Sequence, residues 1–244
     1  VIIALVIGYF SDFYRWEFEE KVKKEKEIAD AQMAVVYAMA KLAEFRDSDT
    51  GGHIERVSEL CHLLTTHLWR RGKYRELIDD DYIEKLTRVS PLHDIGKVGI
   101  PDRILLKPGP LTTKEFEIMK THTTIGAKTL LEVKEKFQDN RLLELGNNIT
   151  NFHHERWDGT GYPLGLKGAE IPLSARIMAI VDVYDALRSK RVYKDAFSHE
   201  KSLAIIKEES GKAFDPEIVE AFLEIAGEIE RIFAKYEKPA ANIG

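Results

Sequence analysis

Along most of this chain, apolar residues recur every three or four positions, the spacing that gathers side chains on one face of an α-helix. From about residue 13 to residue 47 no proline or glycine interrupts the run. Glu and Lys crowd it between Glu17 and Glu27, and Val35, Met39, Leu42 and Phe45 then follow at helical spacing. The pattern predicts one long connecting helix, charged and solvated at first. Gly51-Gly52 permits a break, after which Ile54, Val57, Leu60, Cys61, Leu64 and Leu68 predict an amphipathic helix from His53 to about Arg71. Asp79-Asp80-Asp81 caps a helix carrying Ile83, Leu86, Val89 and Leu92, which is expected to deliver His93 and Asp94. Pro101 suits the first position of a short helix. Thr112 and Glu115 form a T-x-x-E capping box for a helix expected to end near Thr121-His122-Thr123. Ser174 is expected to cap a helix with Ile177, Ile180, Val181, Tyr184 and Leu187 on its core face. Ser198 caps another, closed by Gly211, and Asp215-Pro216 opens a last helix reaching about Lys235. No strand pattern and no repeat emerges, so the fold class is all-α.

Composition narrows the picture. With 244 residues and 44% hydrophobic content the chain can bury a sizeable core, and it divides into an N-terminal stub with connecting helix (1–40) and a domain (41–240). A net charge of −5 gives no global attraction to a nucleic acid polymer. Cys61 is the sole cysteine, which excludes an internal disulfide and any thiolate-based metal site. Val1 to Phe10 is continuously apolar, yet half the roughly 20 residues that a membrane span needs. Tyr9, Phe10, Phe13, Tyr14 and Trp16 follow, then Arg15, Lys21, Lys23 and Lys24, an order that fits the end of a membrane segment. A helix packing on a partner or an upstream sensor fits equally. A homodimer through the long helix is a further expectation.

The chemistry gathers around Ser90-Pro91-Leu92-His93-Asp94-Ile95-Gly96-Lys97. Imidazole and carboxylate both bind divalent metals, and a carboxylate can bridge two. Lys97 lies about one helical turn beyond Asp94. Taken alone, a His-Asp pair on a helix is ordinarily an exposed or capping pair. Further donors accumulate elsewhere: Asp49 and His53 four residues apart, His122, the adjacent His153-His154, and Asp182 inside an apolar helical run with Asp185 as its neighbour on the helix surface. Five of the eight histidines thus lie near helix ends, glycines or acidic residues, whereas His62, His67 and His199 read as surface or packing residues. Five imidazoles and three carboxylates exceed one ion's needs and suit two or three. The donor set favours iron, manganese or zinc.

His93-Asp94-Ile95-Gly96-Lys97, with His153-His154 and Gly161-Tyr162-Pro163, resembles the HD-GYP domain, a branch of the HD phosphohydrolase superfamily. The resemblance covers about Lys41 to Glu209. It implies an all-helical bacterial, cytoplasmic phosphodiesterase that opens cyclic di-GMP to linear pGpG, a second cut to GMP being left open, tethered to the inner membrane if a segment upstream of or including residues 1–10 anchors it. It assigns His53, His93, Asp94, His122, His153, His154 and Asp182 as ligands of two or three divalent ions, with Asp94 bridging. Asp49 stands where three-metal members resembling this chain carry glutamate. Lys97 is expected on the scissile phosphate, Arg191 and Lys194 on phosphate or guanine, and Asp47 and Tyr162 beside the substrate; Gly161, Tyr162 and Pro163 form the loop that names the family. Two ions roughly 3.5–4 Å apart can hold a bridging hydroxide for in-line attack. Two other readings remain: the same scaffold acting on another cyclic dinucleotide or nucleotide, and a catalytically silent nucleotide- or partner-binding domain.

Overall fold

The computed structural model describes residues 2–46, 52–136, 141–189 and 196–236. Among these, helices α1 (Ile2–Arg46), α2 (His53–Arg70), α3 (Asp80–Val89), α4 (Asp102–Leu105), α5 (Thr113–Lys136), α6 (Arg141–Phe152), α7 (Leu173–Arg188), α8 (His199–Glu208), α9 (Pro216–Glu224) and α10 (Ala226–Tyr236) follow in order. Three 3-10 turns, at Ser90–Leu92, Ile95–Gly99 and Gly168–Glu170, complete the set. No strand occurs among the described residues, and Ser210 and Phe214 make an isolated bridge. The all-α expectation is borne out.

The chain forms two compact units, Val1–Ala38 and Met39–Gly244. In the first, the aromatic side chains of Tyr9, Phe10, Phe13, Tyr14, Trp16 and Phe18 are all exposed. No helix among the described residues is long and apolar enough to cross a membrane.

The second unit is built around α2 and α7. Val57, Leu60, Cys61, Leu64 and Leu68 of α2 are essentially inaccessible, as are Ile177, Met178, Ile180, Val181 and Tyr184 of α7. Helix α2 also touches α3, α9 and α10, while α7 touches α6, α8 and α9. A second layer is the pair α5 and α6, and α5 packs on the 3-10 turn that follows Asp94. Capping chemistry sets several boundaries. Asp79 Oδ1 accepts from the Tyr82 amide at 2.6 Å, Ser198 Oγ from Lys201, and Asp215 Oδ1 from Glu217. Thr112 and Glu115 exchange reciprocal bonds, Thr112 N donating to Glu115 Oε2 and Glu115 N to Thr112 Oγ1.

Four local expectations are corrected. Helix α5 does not stop near His122 but runs on to Lys136; the threonines around His122 fold their hydroxyls onto backbone carbonyls three residues back and cap no helix end. Helix α7 starts at Leu173 with Pro172 before it; Ser174 is buried and caps nothing. The last helix is two helices, interrupted at Ile225. Finally, α3 ends at Val89, so His93 and Asp94 sit between 3-10 turns and not on a helix. Val35, Met39, Leu42 and Phe45 of α1, at helical spacing, are exposed.

Tyr184 and Phe222 are buried and their ring centroids lie 5.3 Å apart, joining α7 to α9. Phe222→Ala is expected to cost about 3–5 kcal/mol, read from the urea midpoint at unchanged slope.

Candidate metal centre

The centre starts from a close approach of two backbones. A Cβ built on Gly96 would lie 1.8 Å from the His122 carbonyl oxygen and 2.6 Å from the Gly126 nitrogen. Only a residue without a side chain lets the His93-Asp94 turn reach the α5 backbone, and this contact sets Asp94 Oδ1 3.3 Å from His122 Nε2. Thr150 of α6 fixes the other side by donating to the Leu92 carbonyl at 3.1 Å. Just beyond the end of α6, His153 and His154 enter the same space.

Two groups of donors result. Ligand atoms of Asp94, His122, His153 and His154 lie within 4.8 Å of one another, and so do those of His53, His93 and Asp182. Asp94 stands between them. Its Oδ2 is 3.2 Å from His93 Nε2 and 2.8 Å from Lys97 Nζ, and its Oδ1 faces His122 and, at 3.9 Å, His153. Asp182 Oδ1 is 3.8 Å from His93 Nε2.

Three of the imidazoles are presented the same way round. His93 Nδ1 bonds to the Ser90 carbonyl at 3.0 Å, His122 Nδ1 to Met119 at 2.8 Å, and His153 Nδ1 to Ile149 at 2.9 Å. Carbonyl oxygens only accept, so Nδ1 carries a proton and the lone pair of each neutral ring lies on Nε2. Nε2 of His93, His122 and His153 and Oδ1 of Asp94 are all buried without a hydrogen-bond partner. A buried polar atom left unpaired costs about 1–3 kcal/mol, and four in one place fit a divalent cation's ligand set.

Electrostatics agrees. Burial opposes the charge on Asp94, but Lys97, His93 and His122 outweigh it and hold the carboxyl well below its usual range. Burial alone would depress His93, yet Asp94 beside it raises it to about 9. Burial, reinforced by His93, pushes His153 down to about 4. Burial also lowers His122 and His154. Three of these rings are therefore neutral near pH 7, as ligation requires.

Sequence reasoning overlooked the groups that hold the donors. Asp182 lies in the apolar run of α7, yet its side chain is 21% exposed. The buried one is Asp185, at 1%. Asp185 Oδ2 accepts a hydrogen bond from His53 Nδ1 at 2.7 Å, and Arg56 donates to the same carboxylate through Nε at 2.6 Å and Nη2 at 3.0 Å. Such second partners fix the tautomer and orientation of a ligating histidine. Glu155 was missed as well. At 3% exposure it accepts from the amides of Leu164, Gly165 and Leu166, which ties down the loop containing Gly161-Tyr162-Pro163. A Cβ on Gly161 would lie 2.3 Å from the Arg156 nitrogen, so the loop folds directly onto the strand of backbone after the histidine pair. Tyr162 N donates to the His154 carbonyl, and its ring stacks on His154 at 4.8 Å. A charged residue immediately after two histidines, followed by a glycine-rich loop, was the available signal for Glu155; for Asp185 it was the position of a second aspartate on the core face of α7, one residue after Tyr184.

Asp47, Asp49, Arg191 and Lys194 lie outside the described residues. His62, His67 and His199 take no part in either donor group: His67 pairs with Glu224, His62 contacts Thr87, and His199 meets the Tyr184 hydroxyl in the core.

Fold and site define an all-helical protein with a histidine–aspartate centre suited to divalent metal. Residues 38–218 match the family model described as HD domain, and the chain belongs to that family. It is 47% identical over 216 residues (88% of this chain, 44% of the relative) to a cyclic di-GMP phosphodiesterase of Vibrio cholerae. It is 38% identical over 205 residues (84% and 37%) to a 3′3′-cGAMP-specific phosphodiesterase 2 of the same organism. The chain thus spans less than half the length of either relative. A crystal structure of a cyclic GMP-AMP-specific phosphodiesterase from V. cholerae superposes with a TM-score of 0.54 at 19% identity, covering 83% of this chain and 51% of that one. The resemblance drawn from His93-Asp94 and Gly161-Tyr162-Pro163 is borne out.

Adding Mn²⁺ at 100 times its Kd to chelator-treated protein is expected to stabilise it by about 2.7 kcal/mol, seen as a rise in Tm, with His153→Ala reducing the rise. In metal-free protein, the raised His93 pKa contributes stability that is complete below its ordinary 6.5 and lost as pH rises through about 9. Metal displaces that proton, so uptake in a pH-stat should release acid across this window.

Proposed function

We propose that this domain is a metal-dependent phosphodiesterase that hydrolyses cyclic di-GMP to linear pGpG, with a second cut giving GMP. The observation that carries the reading is the pair of donor groups meeting at Asp94, with four buried acceptor atoms unsatisfied and an ammonium 2.8 Å from the shared carboxylate. His53, His93 and Asp182 would hold one ion, His122, His153 and His154 another, and Asp94 both. Bound divalent ions, iron or manganese in preference to zinc, would supply Lewis-acid charge to a phosphoryl oxygen and acidify water.

The chain's own residues do the remainder. Lys97 places a positive charge where a non-bridging phosphate oxygen gathers charge during displacement. Asp185 and Glu155 keep His53 and the Tyr162 loop in position. Tyr162 walls the site beside His154, and Arg191, Lys194 and Asp47 are assigned to phosphate and base contacts. Asp49 is the candidate ligand for a third ion. A covalent route through cysteine is unavailable, since Cys61 is fully buried and burial pushes its thiol up to about 12. The relative specific for 3′3′-cGAMP supports a second reading in which the mixed dinucleotide is preferred.

The exposed stripe of Ile28, Val35, Met39 and Leu42, spaced by sevens and threes and fours, supports pairing of α1 with a second copy or with an upstream sensor. Acting on cyclic di-GMP, the domain would work in the bacterial cytoplasm. The aromatic residues from Tyr9 to Trp16, with Arg15, Lys21, Lys23 and Lys24, support a tether to the inner membrane through a segment upstream of or including residues 1–10; the alternative is a helix packed on a partner or an upstream domain.

Anaerobic purification, elemental analysis and steady-state kinetics on a cyclic dinucleotide panel test this together. Two or three ions per chain and the highest kcat/KM on cyclic di-GMP are expected, with at least a 10³-fold loss in the His93→Ala/Asp94→Ala double variant. A higher kcat/KM on cGAMP selects the second reading, and metal without turnover selects a silent binding domain.

A further inference from the structure

Next to the donor groups is a cavity of ≈ 30 Å³ whose α1 wall the reading above leaves unused. One wall is the end of α1, with Ala43 and Glu44; the other is His53, His93, Asp94 and Lys97. Ala40 and Ala43 are 2% and 4% exposed, so α1 meets the site through its smallest side chains and Glu44 follows directly. The Glu44 side chain is 12% exposed. Its Oε2 accepts from Lys41 Nζ at 2.9 Å, while Oε1 is buried with no hydrogen-bond partner. The helix end that carries it is pinned, since Arg46 donates to the carbonyls of Val98 and Ile100 and pairs with Asp102 at 2.5 Å.

A buried carboxylate oxygen without a donor is costly and calls for a ligand. The cavity exceeds the roughly 10–15 Å³ that one water requires and offers it several polar partners. Glu44 is not among the donors that converge within 4.8 Å in either metal group, which favours water over direct ligation. We propose that Glu44 is a positioning residue for hydrolysis: Oε1 accepts a hydrogen bond from water in this cavity and orients it beside Asp94 and Lys97. The inference rests on the phosphodiesterase reading and adds to it a residue contributed by the connecting helix.

Glu44→Gln tests it sharply. Lys41 must face an oxygen, so the amide turns its NH2 toward the cavity and puts a donor where the acceptor was. In protein covering the full chain, kcat on cyclic di-GMP is expected to fall by about 10²-fold, with KM within threefold and metal content and Tm unchanged. In Glu44→Ala, added formate should restore turnover by supplying a carboxylate, which a packing role would not allow. Parent-like kcat in Glu44→Gln, loss of metal in proportion to kcat, or absence of formate rescue each overturns the proposal while leaving the phosphodiesterase reading intact. A parent that cleaves no cyclic dinucleotide overturns both.

Discussion

The centre depends on where four protons sit. An imidazole can put its lone pair on either nitrogen, and each of His93, His122 and His153 has the choice removed by a main-chain carbonyl three or four residues earlier. His53 has it removed by Asp185. With these four Nδ1 atoms occupied, Nε2 of His93, His122 and His153 are left buried and without a hydrogen-bond partner. Local backbone geometry thereby creates the ligand set before any ion arrives, and the cost of burying those acceptors is the constraint around which the neighbouring glycines and loops are arranged.

The donors that the fold brings together were legible in the chain because metal binding draws on few residue types and these stand out against an apolar helical pattern. His93-Asp94, His153-His154 and Asp182 could be picked out without knowing a single dihedral angle. Their supports could not. Arg56 looks like any polar residue on an amphipathic helix, and its burial at 8% follows only from Asp185 and Phe233 lying across from it. Asp185 and Asp182 are chemically identical, and rotation about the α7 axis alone decides which is interior. Gly96 could be noticed, but not its reason, since the atom it avoids belongs to a helix 26 residues further on.

The helix boundaries were read well where a side chain caps and poorly where packing decides. Asp79, Thr112, Ser198 and Asp215 each bond to an amide at the helix start, a local interaction that sequence carries. The continuation of α5 past His122 is not local: Gly126 is accepted within the helix because it faces the turn bearing Gly96 and the methyl of Thr150. A residue that looks like a stop signal is there a gap for another backbone.

One shared oxygen pair has a further effect. Asp94 faces both donor groups, so whatever occupies one changes the charge seen by the other. Linkage then requires the influence to be mutual and of equal size in both directions. If both groups take an ion, a chain holding one would be a distinct chemical species with its own affinity for the second, and the availability of metal would become an input to this domain in its own right.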